Sequence, residues 1–221
     1  MCQWNHRAKE ILAELRSDPR METAPIVLIA RVDEKPLEDD NLYFIQGDVT
    51  EENLIRANIQ KANTVVILGD DRLEATTRDA QVVLATLTVE SLNPAVYTIV
   101  ELVDESNVRH CQRAHADEII VGDEFSSRLI SRAALNHGIS KVLSELLSSR
   151  FGNDLFKIPV PAALQGRPFL EVFTEMKRNA NSIVLAVQKN GEGEVIANPE
   201  NDLPVEPGDH LIVISLGQPS L

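Results

Sequence analysis

The residues best placed to do chemistry in this chain sit where strand-like runs end. Cys2-Gln3-Trp4-Asn5-His6-Arg7 forms the turn ahead of the first helical pattern. In a nucleotide-binding doubly wound lobe this turn is glycine-rich, because a bare backbone lets a pyrophosphate approach and rest on the positive helix N-terminus. Here it holds no glycine, and the Gln3 side chain stands in the close-approach position. The helix dipole, an Asn5 cap, His6 and the Arg7 charge survive as anion-binding features. Arg31 stands where an acid ordinarily grips the adenosine ribose; it suits a phosphate, and reads equally well as a surface arginine. Carboxylates gather after later runs: Asp70, Asp71 and Glu74, then Glu101, Asp104 and Glu105, then Asp123-Glu124. Hard cations need several oxygen ligands, so Asp70, Asp71 and Glu101 are candidate cation ligands. No EF-hand spacing is present, and each acid also reads as a solvated loop or cap residue. Catalytic patterns are missing: there is no Gly-x-Ser-x-Gly elbow and no His-Glu-x-x-His. His6, His110, His115, His137 and His210 are scattered, and Cys111 falls on a helical stripe as a core residue, so a non-enzyme is expected.

Elements must position these groups. Apolar runs at 25–30, 42–45, 64–68, 96–101 and 118–121 have the form of strands buried on both faces. Between them lie helical stripes: Ala8, Ile11, Leu12 and Leu15; Leu54, Ile55 and Ala57 behind a Thr50 cap; Ala80, Val83, Leu84 and Leu87; and Val108 with Cys111. Strands alternating with helices predict an α/β class, a Rossmann-like doubly wound parallel sheet over residues 1–122. Such a fold opens on a buried strand, yet only Met1-Cys2-Gln3 precedes the first helix. The numbered chain is therefore read as starting inside, or just after, that strand, with upstream residues missing.

Residues 123–152 read as a helical crossover broken at His137-Gly138. Leu129, Ile130, Ala133 and Ala134 suit the first helix. Ile139, Val142, Leu143, Leu146 and Leu147 make a clean amphipathic stripe on the second. A C-terminal domain could cover that stripe; a subunit interface is the favoured expectation, because no other core helix is left to pair with it. Residues 153–221 read as a small α+β lobe, with strands at 156–160, 182–187 and 210–214 and a short helix ending near Met176.

The 221 residues include 34 Asp and Glu against 21 Lys and Arg, a net charge of −13. That excess disfavours nucleic acid, whose binding rests on Lys and Arg neutralising phosphates. No apolar run approaches the ~20 residues that span a bilayer, and two cysteines cannot build a disulfide framework or four-ligand zinc site. The composition predicts a soluble, cytosolic, acidic protein.

Several motifs occur in a recognisable order: Cys2 to Arg7 in place of a Cys-Gly-Trp turn, Gly47-Asp48-Val49-Thr50 with Leu54 and Ala57, Ala62 to Leu68, Ala116 to Ile120, Ser127-Arg128-Leu129, Gly166 with Phe169, and Pro207 to Leu211. Together they resemble the RCK domain (regulator of K⁺ conductance), with TrkA-N-like and TrkA-C-like lobes, of ligand-gated potassium channels. The resemblance implies a Rossmann-like N-lobe, a crossover that clasps a sister subunit through Leu129, Ile139, Val142, Leu143, Leu146 and Leu147, and a C-lobe. It further implies homodimers in an octameric gating ring on the cytoplasmic side of the membrane. The pore would lie upstream on the same polypeptide or on a co-assembled channel. Some members bind ADP, ATP or NAD at the glycine turn; this sequence keeps Asp48 and departs at Gln3, leaving Asn5, His6, Arg7, Arg31, Asp48, Asp70 and Glu101 as candidate contacts. Calcium-gated members use two acids one residue apart; Glu101 matches the first and Val103 replaces the second. The expected function is a ligand-sensing domain that gates a potassium channel. A peripheral subunit of a Trk/Ktr-type transporter is the alternative. An NAD(P)-dependent oxidoreductase is disfavoured, since Tyr43 and Tyr97 lie in strands with no nearby lysine.

Overall fold

The computed structural model describes residues 1–148 and 152–219. The ends of the expected crossover (149–151) and of the C-terminal lobe (220–221) therefore lie outside the described residues. The chain divides into two compact units, Met1–His137 and Gly138–Leu221.

Five strands of the first unit are parallel: β1 (Ile26–Ala30) with β2 (Leu42–Gln46), and β3 (Thr64–Ile67) with β4 (Tyr97–Leu102) and β5 (Glu118–Val121). Met1–Gln3 joins the two sets. Cys2 bridges Ile29 on one side and Ile67 on the other, both in parallel sense. The Cys2 amide donates to the Val66 carbonyl at 2.8 Å, and the Gln3 amide to the Ile29 carbonyl at 2.7 Å. The spatial order is thus β2-β1-(1–3)-β3-β4-β5, a doubly wound sheet whose order reverses at residues 1–3.

Strand β1 deals alternate side chains to two cores. Ile26, Leu28 and Ala30 pack with Leu12 of α1 (Ala8–Ser17), while Ile29 packs with Leu54 of α2 (Glu51–Arg56), Val82, Ala85 and Val89 of α3 (Ala75–Leu92), and Cys111 of α4 (Val108–Arg113). Period-two geometry sends successive side chains to opposite faces, which is why these runs are apolar throughout. Thr50 caps α2 by accepting from the Asn53 amide at 3.3 Å. Cys111 is buried, and burial pushes its thiol up to about 11, with Asp79 adding to the shift; it is a core residue.

Helix α3 corrects one expectation. Its buried face is Asp79, Val82, Ala85, Thr86 and Val89; of the expected stripe Val83 is half-buried against the core, while Ala80, Leu84 and Leu87 are exposed. Apolar residues lie on more than one side of this helix, so periodicity alone could not choose the inward face. Buried hydrogen bonds decide it. Asp79 accepts from the amides of Val103 (2.9 Å) and Asp104 (3.0 Å) and from Asn107 Nδ2 (2.9 Å), tying the β4–α4 loop to α3.

After β5, α5 (Gly122–Leu135) ends the first unit, and α6 (Ile139–Leu146) opens the second beyond Gly138, whose φ of +100° breaks the helix. Neither helix has a buried residue, and Phe125, Ile130, Leu135, Val142 and Leu147 are exposed.

The second unit is an antiparallel sheet in the order β6 (Asp154–Pro159), β11 (His210–Ser215), β8 (Ile183–Gln188), β9 (Val195–Ala197), with the short pair β7 (Arg167–Pro168) and β10 (Pro204–Val205). Phe169, Val172 and Met176 of α7 (Phe169–Ala180) pack with Val184, Leu211 and Val213. Asp209, 1% exposed, organises the turns at one end. It meets Lys189 Nζ at 2.5 Å and accepts from the amides of Asn190 (3.1 Å) and Glu206 (2.9 Å). Burial pushes its carboxyl up, but the Lys189 and amide hydrogen bonds outweigh burial and hold it below the ordinary range. A depressed folded-state pKa contributes stability that is present above the unfolded value and lost as pH falls below about 4. Asp209→Asn is therefore expected to destabilise this unit by ~2–3 kcal/mol at neutral pH and to flatten its acid limb in melts taken from pH 6 to 2.

A charge-compensated cleft at the carboxyl end of the parallel sheet

Parallel strands direct all their carboxyl ends to one edge, and the order reversal at residues 1–3 opens a crevice there. The turn from Gln3 into α1 forms its floor. Gln3 has φ +70° and is 8% exposed, so a residue with a Cβ adopts the left-handed conformation that favours glycine. Asn5 is also buried. Its Oδ1 accepts from the amides of Arg7 (3.0 Å) and Ala8 (3.1 Å), and its Nδ2 donates to the Gly69 carbonyl (3.1 Å) and to Glu101 Oε2 (3.0 Å). The expected cap is thus present, and it also ties α1 to the ends of β3 and β4. Asp71 Oδ2 accepts from the His6 amide (3.0 Å) and faces His6 Nδ1 at 2.5 Å.

Every carboxylate expected here meets a cation. Glu101, on β4, is paired with Arg7 and lies 3.5 Å from Arg78 Nη2, an ion pair too long for a hydrogen bond. Asp71 meets Arg78 Nη1 at 2.8 Å, Asp70 meets Arg72 Nη2 at 2.7 Å, and Asp48 is paired with Arg31. The Arg72 guanidinium outweighs burial and holds the Asp70 carboxyl below its usual range. Burial pushes Asp71 up, but His6 and Arg78 together bring it below. Asn5, His6, Arg7, Asp71, Arg78 and Glu101 form one connected network, beside which the Arg31–Asp48 and Asp70–Arg72 pairs are joined to each other by Arg72 Nη1 donating to the Arg31 carbonyl at 3.1 Å.

Arg78 and Arg72 were not among the candidates from sequence. A signal for Arg78 existed: it sits in the first turn of α3, where the helix dipole disfavours a cation unless an anion answers it. The Arg78 side chain crosses Gly69, at which a Cβ would stand 2.6 Å from its Cγ and 2.8 Å from its Cδ. Gly69→Ala is expected to push Arg78 off Glu101 and Asp71 at a cost of ~1–3 kcal/mol, read as a lower melting temperature.

The cleft has a volume of ≈ 190 Å³ and is lined in part by Gln3, Arg31, Asp48, Asp70 and Arg78. Sites for whole cofactors usually offer about 300–1,000 Å³, more than this cleft holds with its side chains as they stand. The structure does not gather Asp70, Asp71 and Glu101 into a cation ligand set: Asp70 turns to Arg72, while Asp71 and Glu101 share Arg78. Among the described residues no group of His, Cys, Asp or Glu is arranged to hold a metal, and no helix is long and apolar enough to cross a membrane.

The chain thus has a Rossmann-like lobe whose switch-point crevice is lined by its own ion pairs, two helices with no buried residue, and a small antiparallel lobe. Residues 2–100 match the family model of the calcium-activated potassium channel slowpoke-like RCK domain, and residues 123–220 match the Castor and Pollux model, described as part of a voltage-gated ion channel. The chain is 29% identical over 219 residues to the calcium-gated potassium channel TvoK of Thermoplasma volcanium, a match covering 97% of this chain and 61% of that protein. It is 35% identical over 138 residues to the putative potassium channel protein YugO of Bacillus subtilis, covering 61% of this chain and 39% of that one. The chain thus spans under two thirds of each relative's length. The human SLO3 gating ring shares its fold, with a TM-score of 0.73 at 14% identity over 98% of this chain and 44% of that one. Residues 2–100 thus resemble the RCK domain of calcium-activated potassium channels, and nearly the whole chain is similar in sequence to a calcium-gated potassium channel.

Proposed function

We propose that this chain is a non-catalytic, ligand-sensing module that gates a potassium-channel pore from the cytoplasmic side of the membrane. Residues 1–122 serve as the sensing lobe, 123–152 as the crossover that clasps a sister subunit, and 153–221 as the second lobe. The supporting observation is that α5 in the first unit and α6 in the second each carry apolar side chains and no buried residue, on a chain similar to a calcium-gated potassium channel. Leu129, Ile139, Val142, Leu143, Leu146 and Leu147 make the clasp. Burying them against a second copy removes apolar surface from water, at about 25 cal/mol per Å², and carries a change in one protomer to the next. The pore lies on the same polypeptide or on a co-assembled channel, and the paired domains close into an octameric ring.

Calcium, the ligand in the name of the relative TvoK, is the candidate signal. It gates only by binding one conformation of the assembly better than another, since an equal binder shifts no equilibrium. Native mass measurement of the purified chain is expected to return a dimer or octamer, with a mass distribution or compactness that responds to added calcium. A monomer at micromolar concentration contradicts the clasp; an assembly unmoved by calcium contradicts the choice of ligand.

A further inference from the structure

The fold places its phosphate-binding turn at residues 3–8, and the chain has filled that turn with its own atoms. A dinucleotide lobe places glycine, or alanine at the last position, at three points in the spacing G-x-G-x-x-G/A. The first makes the tight turn, the second lets the pyrophosphate come close, and the third lets helix and strand pack. Here those points are Gln3, Asn5 and Ala8. Only Ala8 meets the requirement; it is fully buried. Gln3 holds the tight-turn conformation at φ +70° but brings a side chain that lines the cleft.

Asn5 does more than occupy space. The amides of Arg7 and Ala8, the donors a pyrophosphate would take, are bonded to Asn5 Oδ1 at 3.0 and 3.1 Å, and the His6 amide is bonded to Asp71 Oδ2 at 3.0 Å. The side-chain cations are answered as well: Arg7 by Glu101, Arg78 by Asp71 and Glu101, and Arg31 by Asp48. An entering phosphate would have to break these contacts, and the charge it brings would face three carboxylates already in place, Glu101, Asp71 and Asp48. Where the ribose is ordinarily held by an acid at the end of the neighbouring strand, the chain offers Arg31.

We infer that Gln3 and Asn5 are specificity-determining residues that close this lobe to dinucleotides and adenine nucleotides, with Asn5 and Asp71 standing in for the pyrophosphate oxygens. The inference narrows the ligand of the sensing lobe proposed above, and rests on that reading only for its regulatory meaning. The network then holds the crevice together without a ligand, and the gating signal enters elsewhere.

Calorimetric titration of the full chain with NAD⁺, NADH, ADP and ATP tests it. The wild type is expected to show no saturable binding up to about 1 mM, the weak end of specific recognition. The double variant Gln3→Gly/Asn5→Gly, checked for folding by circular dichroism, is expected to bind at least one of them about tenfold or more tightly than that limit. Should the double variant fail to fold, Gln3→Gly alone, at a φ that glycine favours, is held to any saturable binding below the same limit. Wild-type binding overturns the inference, and so does a folded variant that binds nothing, since Gln3 and Asn5 are then not the obstacle. A dimeric chain that binds NAD⁺ breaks this inference and leaves the proposed function standing; a monomer that refuses every nucleotide does the reverse.

Discussion

Glu101→Ala is expected to lower the melting temperature of the first unit by about 10 °C. Glu101 is 7% exposed and holds Arg7, Arg78 and Asn5 at one point. Removing one partner of a buried pair strands the others, at ~3–5 kcal/mol, and for a domain of this size each kcal/mol moves the midpoint by about 2–4 °C. The loss should follow the burial of what is left behind. The Arg78 side chain is 13% exposed, so it cannot turn to water without leaving the cleft, and its Nε already has no hydrogen-bond partner among the described residues. The Arg7 side chain, at 41% exposure, can. Arg7→Ala should therefore cost well under half of what Glu101→Ala costs. A double-mutant cycle between Glu101 and Arg78 should return a coupling of ~1–3 kcal/mol. A Glu101→Ala protein that melts within about 2 °C of wild type would show the network to be ornamental.

Val142→Asp combined with Leu147→Asp is expected to dissociate the assembly while leaving each protomer's fold intact. These side chains are 58% and 57% exposed within one chain, so a carboxylate at either position stays hydrated in the monomer. In a clasp, the same substitutions bury charge against a facing apolar surface, which costs far more than the lost contacts. A rise of about 100-fold or more in the dissociation constant, equivalent to ~2.7 kcal/mol, should be visible by sedimentation. The far-ultraviolet spectrum and melting of the dilute protomer should not change. An unaltered assembly would move the interface off α5 and α6.

Elements of this protein were legible where local spacing alone sets the outcome. The apolar runs at 25–30 and 64–68 became β1 and β3, Thr50 capped α2 through the Asn53 amide, and Gly138 separated α5 from α6. The Asn5 cap is likewise an interaction across only two and three residues. Helix α3 failed the same treatment because Leu84 and Leu87 are apolar and exposed while Asp79 and Thr86 are polar and buried. Its inward face was chosen by the amides of Val103 and Asp104, which lie far along the chain.

The candidate site divides in the same way. Sequence by itself determined that the turn lacks glycine, that carboxylates cluster after the strands, and that a greasy stripe runs from Ile139 to Leu147. Only the tertiary structure decided which charge answers which. Asn5 reaches Gly69 across 64 residues and Glu101 across 96, and Arg72 reaches the carbonyl of Arg31 across 41. Hydrophobic periodicity reports on a helix or strand within a turn or two, whereas an ion pair depends on where two distant elements come to rest. A row of acids after parallel strands therefore reads as a ligand site until the fold delivers arginines to neutralise it.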